Sequence, residues 1–112
     1  MALTSTTTDA TQIIKVHSDR IDAAMAIQFK EDMRNQAEGG ATRVVLDLTS
    51  VEFIDSSGLG AIVASMKQLG NERRLDLAGL HPFVAKVFRL TRMDTVFKLY
   101  PTLDDALSTS AD

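Results

Sequence analysis

One hexapeptide, DSSGLG at residues 55–60, constrains the fold of this chain more than any other stretch. An almost wholly apolar run, Val44 to Leu48, precedes it, and an amphipathic run, Leu59 to Leu69, follows it. Asp and Ser begin helices because their short side chains accept hydrogen bonds from the free N–H groups of the first turn. The sequence therefore predicts a buried strand, a turn at the hexapeptide and a helix beyond it.

The same junction favours negative charge. The first-turn N–H groups of a helix carry a partial positive charge and can hold an anion. A serine hydroxyl at this position suits a covalent phosphate, which adds about −1.5 to −2 charges at neutral pH. From the local pattern alone, a simple helix cap is the commoner explanation, because caps far outnumber phosphorylation sites.

Composition limits the classes of function. The chain has 112 residues, which is room for one domain spanning residues 1–112. Its net charge of −3 argues against a nucleic-acid partner, since phosphate binding needs a basic surface. It has no cysteine and only two histidines, which argues against a zinc site. With no secretory signal and no apolar run of roughly 20 residues, we expect a cytoplasmic protein without membrane contact.

Short β-branched or alternating runs predict five strands. The first is a weak strand near residues 3–7, inside an N-terminal tail of residues 1–11, and the others lie at residues 12–16, 44–48, 74–78 and 96–100. The link at residues 49–54 is expected to return Phe53 and Ile54 to the core. Because helices alternate with strands after the first pair, right-handed crossovers predict an α/β fold with a mostly parallel sheet.

Apolar residues spaced three and four apart, together with end signals, predict about four helices. Asp22 is expected to cap the first helix, which ends at Gly39-Gly40. Pro82 suits the first turn of the third helix. Thr102 is expected to cap a short last helix at residues 102–107, and residues 108–112 are expected to fray.

The second predicted helix has two contrasting faces. Its larger apolar residues form a stripe that we expect to be buried, comprising Leu59, Ile62, Val63, Met66 and Leu69. Its other side carries small, lightly charged residues, namely Ala61, Ala64, Ser65 and Gln68. Of these, Ala61, Ala64 and Ser65 are expected to be exposed beside Ser56.

The hexapeptide and its flanks resemble the signature of STAS domains, the sulphate-transporter and anti-sigma-factor-antagonist family. The resemblance rests on VVLDL at residues 44–48 and VEFIDSSGLG at residues 51–60, and it extends from Gln12 to Leu107. It implies one STAS-like domain with a mixed, mostly parallel sheet of four to five strands. Two positions depart from the family pattern, since Ser18-Asp19 and Arg92 stand where the family usually has glycine.

Within the family, the chain is most similar to stand-alone anti-sigma factor antagonists, which implies a binding switch. In that family the serine directly after the aspartate accepts phosphate; this position maps to Ser56, leaving Ser57 as the expected structural cap. The unmodified protein would bind an anti-sigma factor that is also a serine kinase with a histidine-kinase-like ATPase fold, and so release a sigma factor. Phosphorylation would break the complex, and a serine phosphatase would reset it.

The resemblance therefore describes a kinase substrate and not an enzyme, without a cofactor, and a monomer or weak dimer. Asp55 has two possible roles, as a helix cap or as the residue that orients Ser56 for the kinase. The surface expected to bind the partner comprises Asp22, Asp55, Ser57, Gly58, Leu59, Gly60, Ala61, Ala64 and Ser65.

Two other functions stay open. The chain could be a constitutive scaffold subunit of a transport or signalling complex, with Ser56 serving only as a helix cap. It could also sense a nucleotide at the same helix end, although few basic residues are nearby. A hydrolase is disfavoured, because the nucleophile motif Gly-x-Ser-x-Gly is absent and nothing in the sequence brings His17 or His81 to Ser56.

Overall fold

The computed structural model describes residues 3–108 and contains a five-stranded mixed sheet. Its strand order is β1-β2-β4-β6-β7, with β1 antiparallel to β2 and every other neighbouring pair parallel. The strands of this sheet are β1 (Leu3–Thr8), β2 (Thr11–Val16), β4 (Arg43–Asp47), β6 (Arg74–Ala78) and β7 (Leu99–Tyr100). The predicted α/β class, with a mostly parallel sheet, is confirmed.

A second, two-stranded sheet was not predicted. It pairs β3 (Arg20–Ile21) with β5 (Phe53–Ile54) in parallel. Successive side chains of a strand point to opposite sides. In β5, Ile54 is therefore buried, whereas Phe53 is 40% exposed. The prediction that Phe53 returns to the core is therefore wrong, and the ring is free to contact other groups at the surface.

Residues 3–108 contain four α-helices, as predicted; three of them connect strands, and the fourth follows the last strand. They are α1 (Ala26–Gln36), α2 (Ser56–Leu69), α3 (Pro82–Leu90) and α4 (Leu103–Ser108). Pro82 occupies the first position of α3, and the Thr102 hydroxyl accepts a hydrogen bond from the Asp105 N–H at 3.0 Å. Residues 109–112, where fraying was predicted, lie outside the described part of the chain.

Two predicted element boundaries need correction. Asp22 does not cap α1, because that helix begins at Ala26 after Met25. The Asp22 carboxylate instead accepts a hydrogen bond from the Ala24 N–H at 3.1 Å, in the turn before the helix. The predicted last strand at residues 96–100 is shortened, because residues 93–95 form a 3₁₀ turn and only Leu99–Tyr100 pairs with β6.

Arg92 adopts a left-handed backbone, with φ of 64° and ψ of 18°. Glycine takes this conformation without the steric cost that a side chain adds. The family's usual glycine at this position thus has a physical reason, and in this chain an arginine carries the strain.

The main core lies on one face of the five-stranded sheet. Alternate strand residues point to this face, and α1, α2 and α3 cover it, so that one buried cluster joins Ile14, Leu46, Leu77, Phe29, Ile62, Val84 and Phe88. The short helix α4 covers part of the other face, where Ala106 packs on Val45 and Ala78. No helix within residues 3–108 has the length and apolar character needed to cross a bilayer.

The face under α4 also holds a buried charge cluster. Arg43 on β4 donates from Nε to Asp76 Oδ2 on β6 at 2.9 Å, and their side chains are only 5% and 1% exposed. Arg74 Nε reaches the same oxygen at 3.1 Å from a more exposed position. The Arg43 guanidinium also lies 5.7 Å from the ring centre of Tyr100. This cluster joins three neighbouring strands, so its loss should affect the whole sheet.

Candidate functional site

Asp55 caps α2 and also ties it to the segment after β3. The backbone of Asp55 is extended, and its Oδ1 accepts the Gly58 N–H at 2.8 Å. Its second oxygen, Oδ2, accepts the Ala23 N–H at 3.0 Å. The prediction that Ser57 is the cap is wrong, because Asp55 already holds that position and Ser57 lies exposed in the first turn.

These hydrogen bonds keep the Asp55 carboxylate ionised. The backbone N–H of Gly58 lowers the pKa of Asp55 below its ordinary value of 3.8, more than the loss of solvent raises it, and the N–H groups of Ala23 and Ser57 lower it further. A negative charge is therefore fixed beside Ser56 throughout the neutral range.

The lowered pKa of Asp55 predicts a pH-dependent stability. The contribution of the ionised carboxylate is fully present above the pKa of the unfolded chain, and it is lost as the pH falls through the lower pKa of the folded protein. Urea denaturation of the wild type and Asp55→Asn should therefore give a difference in the free energy of unfolding that is constant above about pH 5. Below about pH 4 the wild type should lose stability relative to the variant, because the asparagine side chain also caps a helix but has no carboxyl group to protonate. A difference independent of pH would contradict the assignment of the cap.

Gly58 allows α2 to begin directly against β3. A Cβ added at Gly58 would lie 2.0 Å from the Ile21 carbonyl oxygen and 3.0 Å from Cγ1 of Ile54. Since real Cβ atoms do not approach this closely, only glycine fits without a backbone shift. Gly58 therefore faces the interior of the protein, although it was predicted to contact a partner. Gly60, by contrast, is exposed, and a Cβ there meets nothing within 4 Å.

Ser56 is the first residue of α2 and is exposed. Among residues 3–108, no group forms a hydrogen bond with its hydroxyl, whereas Asp55 fills the capping role. The exposed hydroxyl lies at the positive end of a helix of 14 residues, next to the exposed side chain of Ser57. The geometry leaves this serine accessible to a second protein.

Part of the predicted contact surface is buried. Ala61 and Ser65 are only 2% and 3% exposed: Ala61 belongs to the main core and Ser65 lies beside Met33 of α1. Ser65 Oγ donates to the Ala61 carbonyl at 2.9 Å. Their predicted exposure is wrong. Ala64 is half-buried, and Leu59 packs against the main core. The exposed face of α2 at this end is therefore made of Ser56, Ser57 and Gly60.

Asp22, which was predicted to belong to the partner surface, lies close to the same face. It accepts the N–H of Ala24, while Asp55 accepts the N–H of the adjacent Ala23. Two carboxylates that are distant in the sequence thus bind neighbouring backbone groups of one turn. The structure brings Asp22 to the N-terminus of α2.

An aromatic pair that was not predicted lies beside this turn. Phe53 on β5 stacks on Phe83 at the start of α3, with ring centres 5.7 Å apart and an angle of 11° between their planes. The guanidinium of Arg20 lies 5.9 Å from the Phe53 ring centre, and Arg20 also contacts Asp22 at 3.8 Å. The exposure of Phe53 follows from the burial of its neighbour Ile54, because adjacent residues of a strand point to opposite sides.

Comparison with known proteins agrees with this fold. The family model described as "STAS domain" matches residues 2–106. The anti-sigma-F factor antagonist RsfB of Mycobacterium tuberculosis is 28% identical over 88 residues, which cover 79% of this chain and 72% of the relative.

Two solved structures extend the comparison. The crystal structure of an anti-sigma factor antagonist from Mycobacterium paratuberculosis has a TM-score of 0.87 and 31% identity, covering 99% of this chain and 94% of that one. Phosphorylated SpoIIAA, a Bacillus cell fate determinant, shares the fold with a TM-score of 0.68 and 22% identity, covering 96% of this chain and 97% of its own. The chain therefore belongs to the STAS domain family, and its sequence and structure group it with the anti-sigma factor antagonists.

Proposed function

We propose that this protein binds an anti-sigma factor and is released from it by phosphorylation of Ser56. The observation that carries the proposal is the exposed Ser56 hydroxyl at the start of a helix whose cap is already supplied by Asp55. A serine needed only as a cap would make that hydrogen bond itself. The names of the mycobacterial relatives, which denote antagonists of anti-sigma factors, support the choice of partner.

The proposed partner is an anti-sigma factor that acts as a serine kinase with a histidine-kinase-like ATPase fold. In the transfer step, Ser56 Oγ attacks the γ-phosphorus of ATP, the bond from that phosphorus to the ADP oxygen breaks, and a base of the kinase takes the hydroxyl proton. The catalytic groups and the nucleotide belong to the partner, so this chain is the substrate. A separate serine phosphatase resets it by hydrolysing the phosphoserine.

The phosphate has opposite effects on the free protein and on the complex. In the free protein, the positive end of α2 and bulk water both stabilise the new charge. In the complex, Ser56 is buried against the partner, so the phosphate loses water and stays close to the ionised Asp55. The modification is therefore tolerated in the free state and weakens the interface.

Charge substitution at Ser56 tests this proposal. Ser56→Asp should weaken partner binding by about 100-fold, because truncating or adding a charge inside an interface typically costs several kcal/mol. Ser56→Ala should retain binding. Affinity capture from the source cell, followed by mass spectrometry and titration of the recovered ATPase-type kinase, measures both variants.

Ser5→Asp is the matched control, since it adds the same charge to an exposed site on β1. It should bind as the wild type does. Capture of the same partner by Ser56→Ala and Ser56→Asp with equal affinity would contradict the switch and support the constitutive scaffold.

A further inference from the structure

We infer that the surface for the anti-sigma factor extends from Ser56 to the stacked rings of Phe53 and Phe83, which form an apolar anchor separate from the phosphate switch. This inference rests on the proposed function, because it assigns a second contact to the same partner. Phe53 and Phe83, called the aromatic pair below, would hold the partner by burying apolar surface area.

The aromatic pair is exposed although its members are large and apolar. Phe53 is 40% exposed and Phe83 is 48% exposed, and their rings stack on each other across β5 and α3. Single exposed apolar side chains are common, but a pair of rings held in a fixed mutual geometry forms a preorganised apolar patch. Rigid aromatic side chains of this kind dominate the affinity of many interfaces, because little side-chain entropy is lost on binding.

The aromatic pair is continuous with the turn that holds the proposed switch. Phe53 belongs to β5, which leads directly into Asp55 and Ser56. Arg20 pairs with Phe53 across the two-stranded sheet, lies over its ring at 5.9 Å and reaches Asp22 at 3.8 Å. A partner that covers Ser56 and Asp22 therefore has the aromatic pair at the edge of its footprint.

Charge around the aromatic pair specifies the chemistry of the partner. Asp19 and Asp22 flank β3, Glu52 precedes β5, and Arg20 contacts both aspartates. On the other side of the pair, exposed Lys86 lies one helical turn after Phe83. Three acidic residues thus stand against two basic ones, and this negative balance favours a partner with basic side chains. We therefore expect the anti-sigma factor to present an apolar side chain to the rings, flanked by lysine or arginine.

The aromatic pair and Ser56 should act separately. The rings carry no charge, and phosphorylation alters only the start of α2. Removing a ring should therefore weaken binding by the same factor whether residue 56 is serine or alanine. An apolar contact should also be less sensitive to salt than the contacts made by Asp19 and Asp22.

The test is calorimetric titration of the anti-sigma factor recovered with the Ser56→Ala bait. Phe83→Ala should weaken its binding by about 30-fold, the effect of losing one strong interface residue. Leu90→Ala is the matched control, because Leu90 is 73% exposed at the other end of the same helix. This control should bind within about twofold of the wild type. Thermal melting of both variants shows whether each remains folded, so that a lost contact is separated from lost folding. The variant Phe53→Leu provides a second test, because it removes the other ring and keeps an apolar side chain.

The outcomes distinguish the inference from the function on which it rests. If the wild type binds the anti-sigma factor and Phe83→Ala binds equally well while folded, the aromatic anchor is wrong and the switch stands. If Phe83→Ala and Leu90→Ala weaken binding equally, the anchor is also wrong. If the wild type binds no anti-sigma factor, the proposed function fails and the anchor fails with it.

Discussion

Replacing Gly58 by alanine is expected to lower the free energy of unfolding by about 3 kcal/mol, the upper part of the range for overpacked sites. The added Cβ would lie 2.0 Å from the Ile21 carbonyl oxygen and 2.7 Å from the carbonyl carbon. Both atoms belong to the backbone of β3, so relief requires α2 to move away from that strand. The same movement would disturb the hydrogen bonds of Asp55 to Gly58 and Ala23.

Gly60→Ala is the matched control for this prediction. It makes the same chemical change in the same turn, but the new Cβ meets nothing within 4 Å. Alanine favours a helix interior over glycine by about 0.5–1 kcal/mol, so this variant should be more stable than the wild type. Urea denaturation at neutral pH measures both variants. A Gly58→Ala protein as stable as the wild type would mean that α2 does not begin against Ile21.

Replacing Asp76 by alanine should lower the free energy of unfolding by about 3–5 kcal/mol, since it leaves a buried charge without its partner. The Arg43 side chain, 5% exposed, would keep its charge inside the sheet without the carboxylate that accepts its Nε–H at 2.9 Å. Arg74 contributes less to this cost, because its side chain is 37% exposed and water can replace the carboxylate.

Replacing both Arg43 and Asp76 tests whether the stability is lost because a buried charge has no partner. The double variant Arg43→Met with Asp76→Leu removes both charges and fills similar volume, so it should be much more stable than Asp76→Ala alone. Chemical denaturation of the wild type, Arg43→Met, Asp76→Leu and the double variant gives the coupling energy. A coupling near zero would show that the two side chains act independently.

The sequence predicted those parts of the fold that depend on local signals. Gly40 after the first helix and Pro82 at the start of α3 both follow from short-range backbone chemistry. The apolar run Val44 to Leu48 likewise identified a strand covered on both faces. In each case the residue and its immediate neighbours determine the structure.

The errors occurred where a distant element decides the outcome. Ala61 and Ser65 are small, which is typical of exposed helix faces, but here they lie on the buried side of α2, which packs against α1. Phe53 has the composition of a core residue, yet the burial of Ile54 turns it outward. The choice of Asp55 over Ser57 as the cap is fixed by Gly58, which must face Ile21.

The candidate site was only partly predictable for the same reason. The resemblance to STAS domains singled out Ser56 as a candidate, and local chemistry explains why a helix start would tolerate a phosphate there. The link from Asp55 to Ala23 and the stacking of Phe53 on Phe83 join segments that are far apart in the sequence. Neither contact can be predicted from periodicity or a local pattern, because each depends on how distant segments pack in the folded chain.

The central claim is that Ser56 is the residue whose phosphorylation controls binding. Its most direct test is to incubate the protein with the purified anti-sigma factor and ATP, and to locate any phosphate by peptide mass spectrometry. We predict one phosphoryl group, on Ser56, with none on Ser56→Ala and normal modification of Ser57→Ala. Phosphate on Ser57 alone, or an unmodified protein in a stable complex with the ATP-bound kinase, would contradict the account.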